Sequence, residues 1–176
     1  MTGGAPDAAA VIRLLDLQPH PAEGGYFIET YRADETLSAA ALPGRYGGQR
    51  AHGTAIYYLL KDDNVSAMHR LASDEVFHFY LGDAVEMLHL YADGHAASVV
   101  LGRDLDAGER PQAVVPRGIW QGARLRPGGR FALMGTTVAP GFDFADFELG
   151  ERGALTAAYP AHAEMIAALT PAEAPL

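Results

Sequence analysis

The sequence predicts an all-β sandwich or barrel with short N- and C-terminal helices. Two observations carry that prediction. Short runs of β-branched and aromatic residues follow one another from Tyr26 to Val138, with glycine or proline in nearly every gap. Helical patterning is confined to the two ends of the chain.

Asp7 can cap a short helix running to Leu15, with Val11, Leu14 and Leu15 on one face. Gly24-Gly25 marks a turn, and Tyr26 to Arg32 alternates aromatic and polar residues as a strand does. The Ala- and Gly-rich stretch from Ala33 to Gly53 reads as a loop with at most one helical turn. A flexible surface insertion is the plainer expectation for it, and a lid over a pocket the sharper one. Further strands are expected at Thr54 to Leu60, Val76 to Leu81 and Val85 to Tyr91, the last two joined by a hairpin-like turn at Gly82-Asp83. Ala97 to Leu101, Ala113 to Val115, Ala123 to Arg126 and Phe131 to Val138 complete the series, and Pro160 can open a final helix.

Composition narrows the function. A chain of 176 residues, 49% hydrophobic, is expected to form one domain, 1–176, with a substantial core. Its net charge of −9 makes nucleic acid an unsuitable partner. The absence of cysteine removes disulfides, thiolate catalysis and Cys-ligated zinc. No apolar run is long enough to span a membrane, and the N-terminal stretch lacks the pattern of a leader, so a cytoplasmic protein without a membrane partner is expected.

The chemistry concentrates in three places. Within SAMHRLASDEVFHFYLG, His69 and Glu75 can serve as an acid–base pair, because a carboxyl on an inward, aromatic-lined face ionises reluctantly and a neighbouring imidazole can exchange its proton. The bland alternative is that the two only satisfy each other inside the barrel. Strand alternation sets Glu75, Phe77 and Phe79 on one face and His78 on the other, so a bulge would be needed to bring His78 inward. In EGGYFIETYR, alternation sets Tyr26 opposite to Phe27, Glu29 and Tyr31, and the mixture of acids and rings suits a polar ring-shaped ligand or simply a solvated edge. In GERPQAVVPRGIWQGARL, Arg110 could reach an anion, Trp120 could wall a pocket or cover the core, and Gln121 is the better site candidate. APGFDFADFELG reads as a structural clasp or a dimer contact, and His20 as a surface residue beside prolines.

These strings resemble the cupin superfamily, whose first motif holds two histidines, a glutamate and a glycine, and whose second reads Pro-x-Gly-x-x-His. His69, Glu75 and Gly82 match the first motif and Pro116 and Gly118 the second, whereas Leu71 and Gln121 stand where two further histidines belong. The ordered series from Leu14 to Ile166 looks like the type-five branch, a domain of unknown function. That resemblance implies a jelly-roll β-sandwich, usually dimeric, with a pocket between two sheets. It also implies a divalent-metal site, which here would fall to His69, Glu75 and Gln121, a ligand set short of the usual count. The expected function is small-molecule binding, with isomerase or epimerase chemistry on a sugar, sugar acid or similar ring. His69 and Glu75 would be catalytic, and Gln121, Arg110, Tyr26, Glu29, Trp120 and His78 would bind substrate. Non-catalytic ligand binding and a metal-dependent oxygenase are the alternatives. The cofactor is left open, and a homodimer is expected.

Overall fold

Residues 6–171 are described by a computed structural model. The first five residues, part of the stretch read as lacking a leader, lie outside the described residues. No described helix is long and apolar enough to cross a membrane.

The chain opens with helix α1 (Ala8–Leu14), capped by the Asp7 carboxylate, which accepts from the Ala10 amide at 2.8 Å. Val11 is its buried contact, while Leu14 is exposed, because the helix rests on the sheet by a narrower face than Val11, Leu14 and Leu15 together would make. There follow β1 (Gln18–Pro19), β2 (Tyr26–Arg32), β3 (Thr36–Leu37), β4 (Arg50–Ala51), β5 (Thr54–Lys61), β6 (Ser66–Leu71) and β7 (Asp74–Gly82). Then come β8 (Val85–Leu90), β9 (Ala96–Leu101), β10 (Gln112–Val115), β11 (Trp120–Leu125), β12 (Phe131–Ala139) and β13 (Phe147–Leu149). Helices α2 (Arg152–Ala158) and α3 (Ala163–Ala168) close the chain.

Two antiparallel sheets carry the fold, ordered β1-β2-β5-β12-β7-β10 and β13-β6-β11-β8-β9, with β3-β4 as a separate small ladder. From β5 to β12 the chain crosses repeatedly between the two large sheets, which is the jelly-roll arrangement. Tyr58, Phe77, Met87, Leu101 and Met134 fill one end of the space between the sheets. A second cluster lies outside the second sheet, where Met68 and Leu90 meet Leu155, Ile166 and Leu169 of the C-terminal helices. Gly122 permits this contact, since a Cβ there would meet the Met68 sulfur at 2.7 Å and the Ser66 carbonyl at 3.2 Å.

The 33–53 segment runs over the surface and is anchored at a few buried residues, Tyr46, Arg50 and Ala51. It contains the β3-β4 ladder and one short 3-10 turn, Ala39–Ala41. Its return limb is clamped by the Arg50 guanidinium on Asp146 (2.6 and 2.7 Å) and by the Tyr46 and Ser73 hydroxyls (2.9 Å). Most of the segment lies exposed at the surface, as expected of an insertion, while these buried polar anchors tie its return limb to the body of the fold.

Candidate functional site

The end of the sandwich left unfilled by the core holds a cavity of about 330 Å³. Its floor contains His20, Glu23, His69 and Glu75, and its walls include Phe27, Ile56, Leu71 and Val138. Glu29, Arg32, Phe142, Asp143 and Phe144 stand around it as well.

Local geometry explains each placement. His69 and Leu71 alternate inward along β6, and a bulge opposite Gly122 turns Ser66 inward too. The same bulge leaves Met68 facing the helices. Glu75 faces in from β7 of the opposite sheet and accepts from Gln121 Nε2 at 2.7 Å. His20 and Glu23 lie in the turn between β1 and β2. The His20 amide donates to the Gly25 carbonyl at 3.0 Å, and the Ala67 amide donates to the Glu23 carbonyl at 2.8 Å, pressing the turn onto β6. Gly25 serves this turn with φ +70°, and a Cβ there would meet the Leu59 carbonyl at 2.8 Å.

The hydrogen bonds also fix how the two imidazoles present themselves. Backbone amides of Glu23 (2.9 Å) and Ala22 (3.3 Å) donate to His20 Nδ1, so Nδ1 keeps its lone pair and the neutral ring carries hydrogen on Nε2. His69 is the reverse. Its Nδ1 lies 2.8 Å from the Ala67 carbonyl, which can only accept, so Nδ1 bears hydrogen and the neutral ring has a free lone pair at Nε2. Between them Glu23 Oε1 accepts from the Ser66 hydroxyl at 2.7 Å, and Oε2 lies 3.8 Å from His69 Nε2 and 3.9 Å from His20 Nε2. The Phe147 ring stacks on His69 with centroids 5.1 Å apart.

Burial and charge set the protonation bias. Desolvation pushes the Glu75 carboxyl up; His69 and the Gln121 amide oppose it, and the Glu23 carboxylate reinforces it. Desolvation holds His20 below the ordinary imidazole range. Burial raises the Tyr58 phenol well above its ordinary value, and its hydroxyl donates to the Gly24 carbonyl at 2.8 Å beneath the site.

Of the residues singled out from sequence, His69, Glu75 and Glu29 line the cavity, and Gln121 touches it through Glu75. Four others lie elsewhere. Arg110 is exposed near the start of β10, well up-chain of Val115, the partner of Glu75, and donates to the Glu109 carbonyl. Tyr26 packs on the outer cluster under Lys61 because β2 alternation sends Phe27 inward instead. Trp120 alternates outward from Gln121 and lies against the Arg70 guanidinium at 4.4 Å. His78 stays on the outer face with Thr137 and Gln112, since the one register shift along β7, opposite Leu133/Met134, comes beyond it.

Other cavity residues carry no local sequence signal for their place. His20 is buried, because Gly25 folds the β1–β2 turn over it. The shift in β2 pairing between Glu29 and Tyr31 swaps the expected faces, so Tyr31 is exposed and Arg32 lines the cavity. The Phe142–Phe144 segment, read as a clasp, borders the cavity. The only advance signal for the turn is the Gly24-Gly25 pair.

A complete cupin metal centre does not fit these residues. Leu71 offers no donor atom. Gln121 turns its amide nitrogen, which cannot ligate, toward Glu75. His20 has its Nδ1 lone pair engaged, which puts hydrogen on the nitrogen facing the cavity. Among the described residues no group of three His, Asp or Glu side chains is arranged to hold a metal ion.

The fold agrees with a comparison against known protein families. The profile of the DUF985 branch of the cupin superfamily (Cupin_5) matches residues 9–150. The chain belongs to this family. Among solved structures, this cupin is similar to protein SO0799 of Shewanella oneidensis, with 36% identity and a TM-score of 0.84 over 96% of this chain and all of that one. It is also similar to a hypothetical protein of Leishmania major, with 29% identity and a TM-score of 0.84 over 94% of this chain and 99% of that one. The uncharacterized yeast protein YML079W of Saccharomyces cerevisiae is 33% identical over 70% of this cupin and 66% of its own length, so the match spans just under two thirds of that relative. Oxalate decarboxylase of Bacillus subtilis shares the fold alone, with 14% identity and a TM-score of 0.52 over 91% of this chain and 38% of that one.

Proposed function

We propose that this cupin is a small-molecule enzyme of isomerase or epimerase type, acting on a polar ring compound of the sugar kind. One observation carries the reading: an imidazole with a free lone pair and a reluctantly ionised carboxyl border the same cavity. His69 Nε2 would take a proton from carbon beside a carbonyl. Glu75, protonated on the oxygen that Gln121 does not engage, would give its proton to the carbonyl oxygen. Return of the His69 proton to the neighbouring carbon, with the enediol's other hydroxyl giving its proton back to Glu75, completes an isomerisation with no oxidant. In an epimerisation solvent water supplies the proton on the other face, His69 loses its own to solvent, and the enol hydroxyl proton returns to Glu75. The bordering phenylalanines would take the apolar face of a ring. A cavity of about 330 Å³ suits a ligand of that size.

The test has two arms. Denaturing the native protein and analysing the released small molecules by mass spectrometry should yield a ring compound. That compound, incubated with protein in deuterated water, should gain deuterium, and Glu75→Gln should suppress the gain. Binding without any exchange favours the second reading, a ligand-binding module without turnover, which the loss of both cupin histidines at Leu71 and Gln121 supports. Self-association belongs to the same proposal, since a second copy would cover open edge strands and the exposed Leu14 and Tyr80. Light scattering at micromolar concentration should give twice the chain mass, and a monomer mass rejects it.

A further inference from the structure

We infer that the cavity takes a ligand bearing a protonated amine, seated against the Glu23 carboxylate, and rejects anionic ligands. This deepens the metabolite-site reading above and rests on it.

Glu23, Glu29 and Asp143 border the cavity, beside a Glu75 carboxyl that burial keeps reluctant to ionise, against one permanent cation, Arg32. That guanidinium is already committed. It donates to both Glu29 carboxylate oxygens at 3.0 and 2.7 Å and to the Phe142 carbonyl at 3.3 Å. An incoming carboxylate or phosphate would therefore find no available cation among the described residues lining the cavity.

Glu23 supplies the attraction. Its side chain is 13% exposed, and its Oε1 is held by Ser66. Among the described residues its Oε2 makes no hydrogen bond, so a largely desolvated carboxylate oxygen opens on the cavity without a donor there. His20 is a poor counter-ion, because gaining charge would put hydrogen on the Nδ1 that two backbone amides already occupy. His69 Nε2 lies 3.8 Å away, beyond direct hydrogen-bond contact.

A second, independent feature points to the same occupant. The His69 side chain is 2% exposed, yet among the described residues its Nε2 has no hydrogen-bond partner, and it faces the cavity. A hydroxyl has one hydrogen for the two acceptors Glu23 Oε2 and His69 Nε2, whereas an ammonium on Glu23 keeps further hydrogens for a neighbour. Phe27, Phe142 and Phe144 border the same space, and aromatic faces attract a cation.

Three probes that share one ring and differ in one substituent decide the matter: cyclohexylamine, cyclohexanol and cyclohexanecarboxylate. Calorimetric titration into the full chain at pH 7.5 should show the amine binding at least about tenfold tighter than the carboxylate, the scale of one partly desolvated charge contact. Glu23→Gln should close most of that gap. The proposal is overturned by a carboxylate that binds as tightly as the amine, by no binding of any probe, or by an unchanged gap in a folded Glu23→Gln protein. If that variant does not fold, the wild-type comparison decides alone. An anionic metabolite released from native protein would overturn the charge class while leaving the pocket a metabolite site.

Discussion

Glu75 of one sheet and Gln121 of the other are joined across the sandwich by a 2.7 Å hydrogen bond. The bond ties a carboxyl that burial makes hard to ionise to the residue standing where a cupin histidine belongs. The site is thus held together by side-chain polarity at a position where other members of the superfamily use metal ligands.

Glu75→Gln should abolish turnover and stabilise the fold. The folded-state value for Glu75 lies above its ordinary 4.5, so the native state holds its proton where the unfolded state has lost it. Wild-type stability therefore falls as pH rises from about 4.5 through the folded value. The glutamine variant has no such loss, and its advantage should grow across that window and then level off. Urea unfolding at a series of pH values checks the sign, and a variant less stable at pH 8 than at pH 4 relative to wild type contradicts it.

His89 should contribute an acid-side loss. It is buried, its Nε2 has no partner among the described residues, and desolvation lowers its value below the ordinary 6.5. The unfolded chain therefore binds protons that the folded chain refuses, and stability falls as pH drops from about 6.5 toward the folded value. His20 acts in the same direction. His89→Leu should flatten the fall between pH 7 and pH 5, read as a smaller change in urea midpoint than wild type shows.

Much of the strand framework was legible because alternation and glycine punctuation are local signals. Thr54–Lys61 and Phe131–Ala139 appear within a residue of expectation at each end. The side on which Glu75, Phe77 and His78 fall also follows from period two alone. What local pattern could not give is where register slips. The irregularity between Glu29 and Tyr31 exchanges Tyr31 for Arg32 at the cavity, and it has no composition signature. Nor could spacing place His20, which enters the site because a turn docks on β6, some forty-odd residues further along the chain, through the Ala67–Glu23 backbone bond. Arg110 looked useful by charge alone, and its distance from Glu75 is a matter of sheet geometry.

The 33–53 segment should depend on one ion pair. The Arg50 and Asp146 side chains are 4% and 5% exposed and bonded through both guanidinium contacts. Arg50→Met leaves the Asp146 carboxylate uncompensated and should cost on the order of 3 kcal/mol in urea unfolding. The double variant Arg50→Met/Asp146→Asn should recover part of that loss, because no unpaired charge is left behind. Equal stability of the single variant and wild type would show that the clamp contributes nothing.

The departures from the cupin motif can be reversed experimentally. Leu71 and His69 both face the cavity from β6, and Gln121 meets Glu75 from across it. Leu71→His with Gln121→His would therefore add two imidazoles to His69 and Glu75, giving a donor set of the number and type that transition metals accept. The double variant should bind nickel or zinc near one per chain after dialysis, with a rise in melting temperature that EDTA removes. The wild-type chain, whose leucine has no lone pair and whose amide is engaged by Glu75, should bind at least about tenfold more weakly under the same conditions, in line with the cost of a lost ligand-shell interaction. Removing Glu75 from the double variant (Glu75→Gln) should return it to the wild-type level. If wild-type and double-variant proteins retain the same metal, then Leu71 and Gln121 are not what separates this site from a metal-binding cupin, and the donor set has to be sought around Glu23 instead.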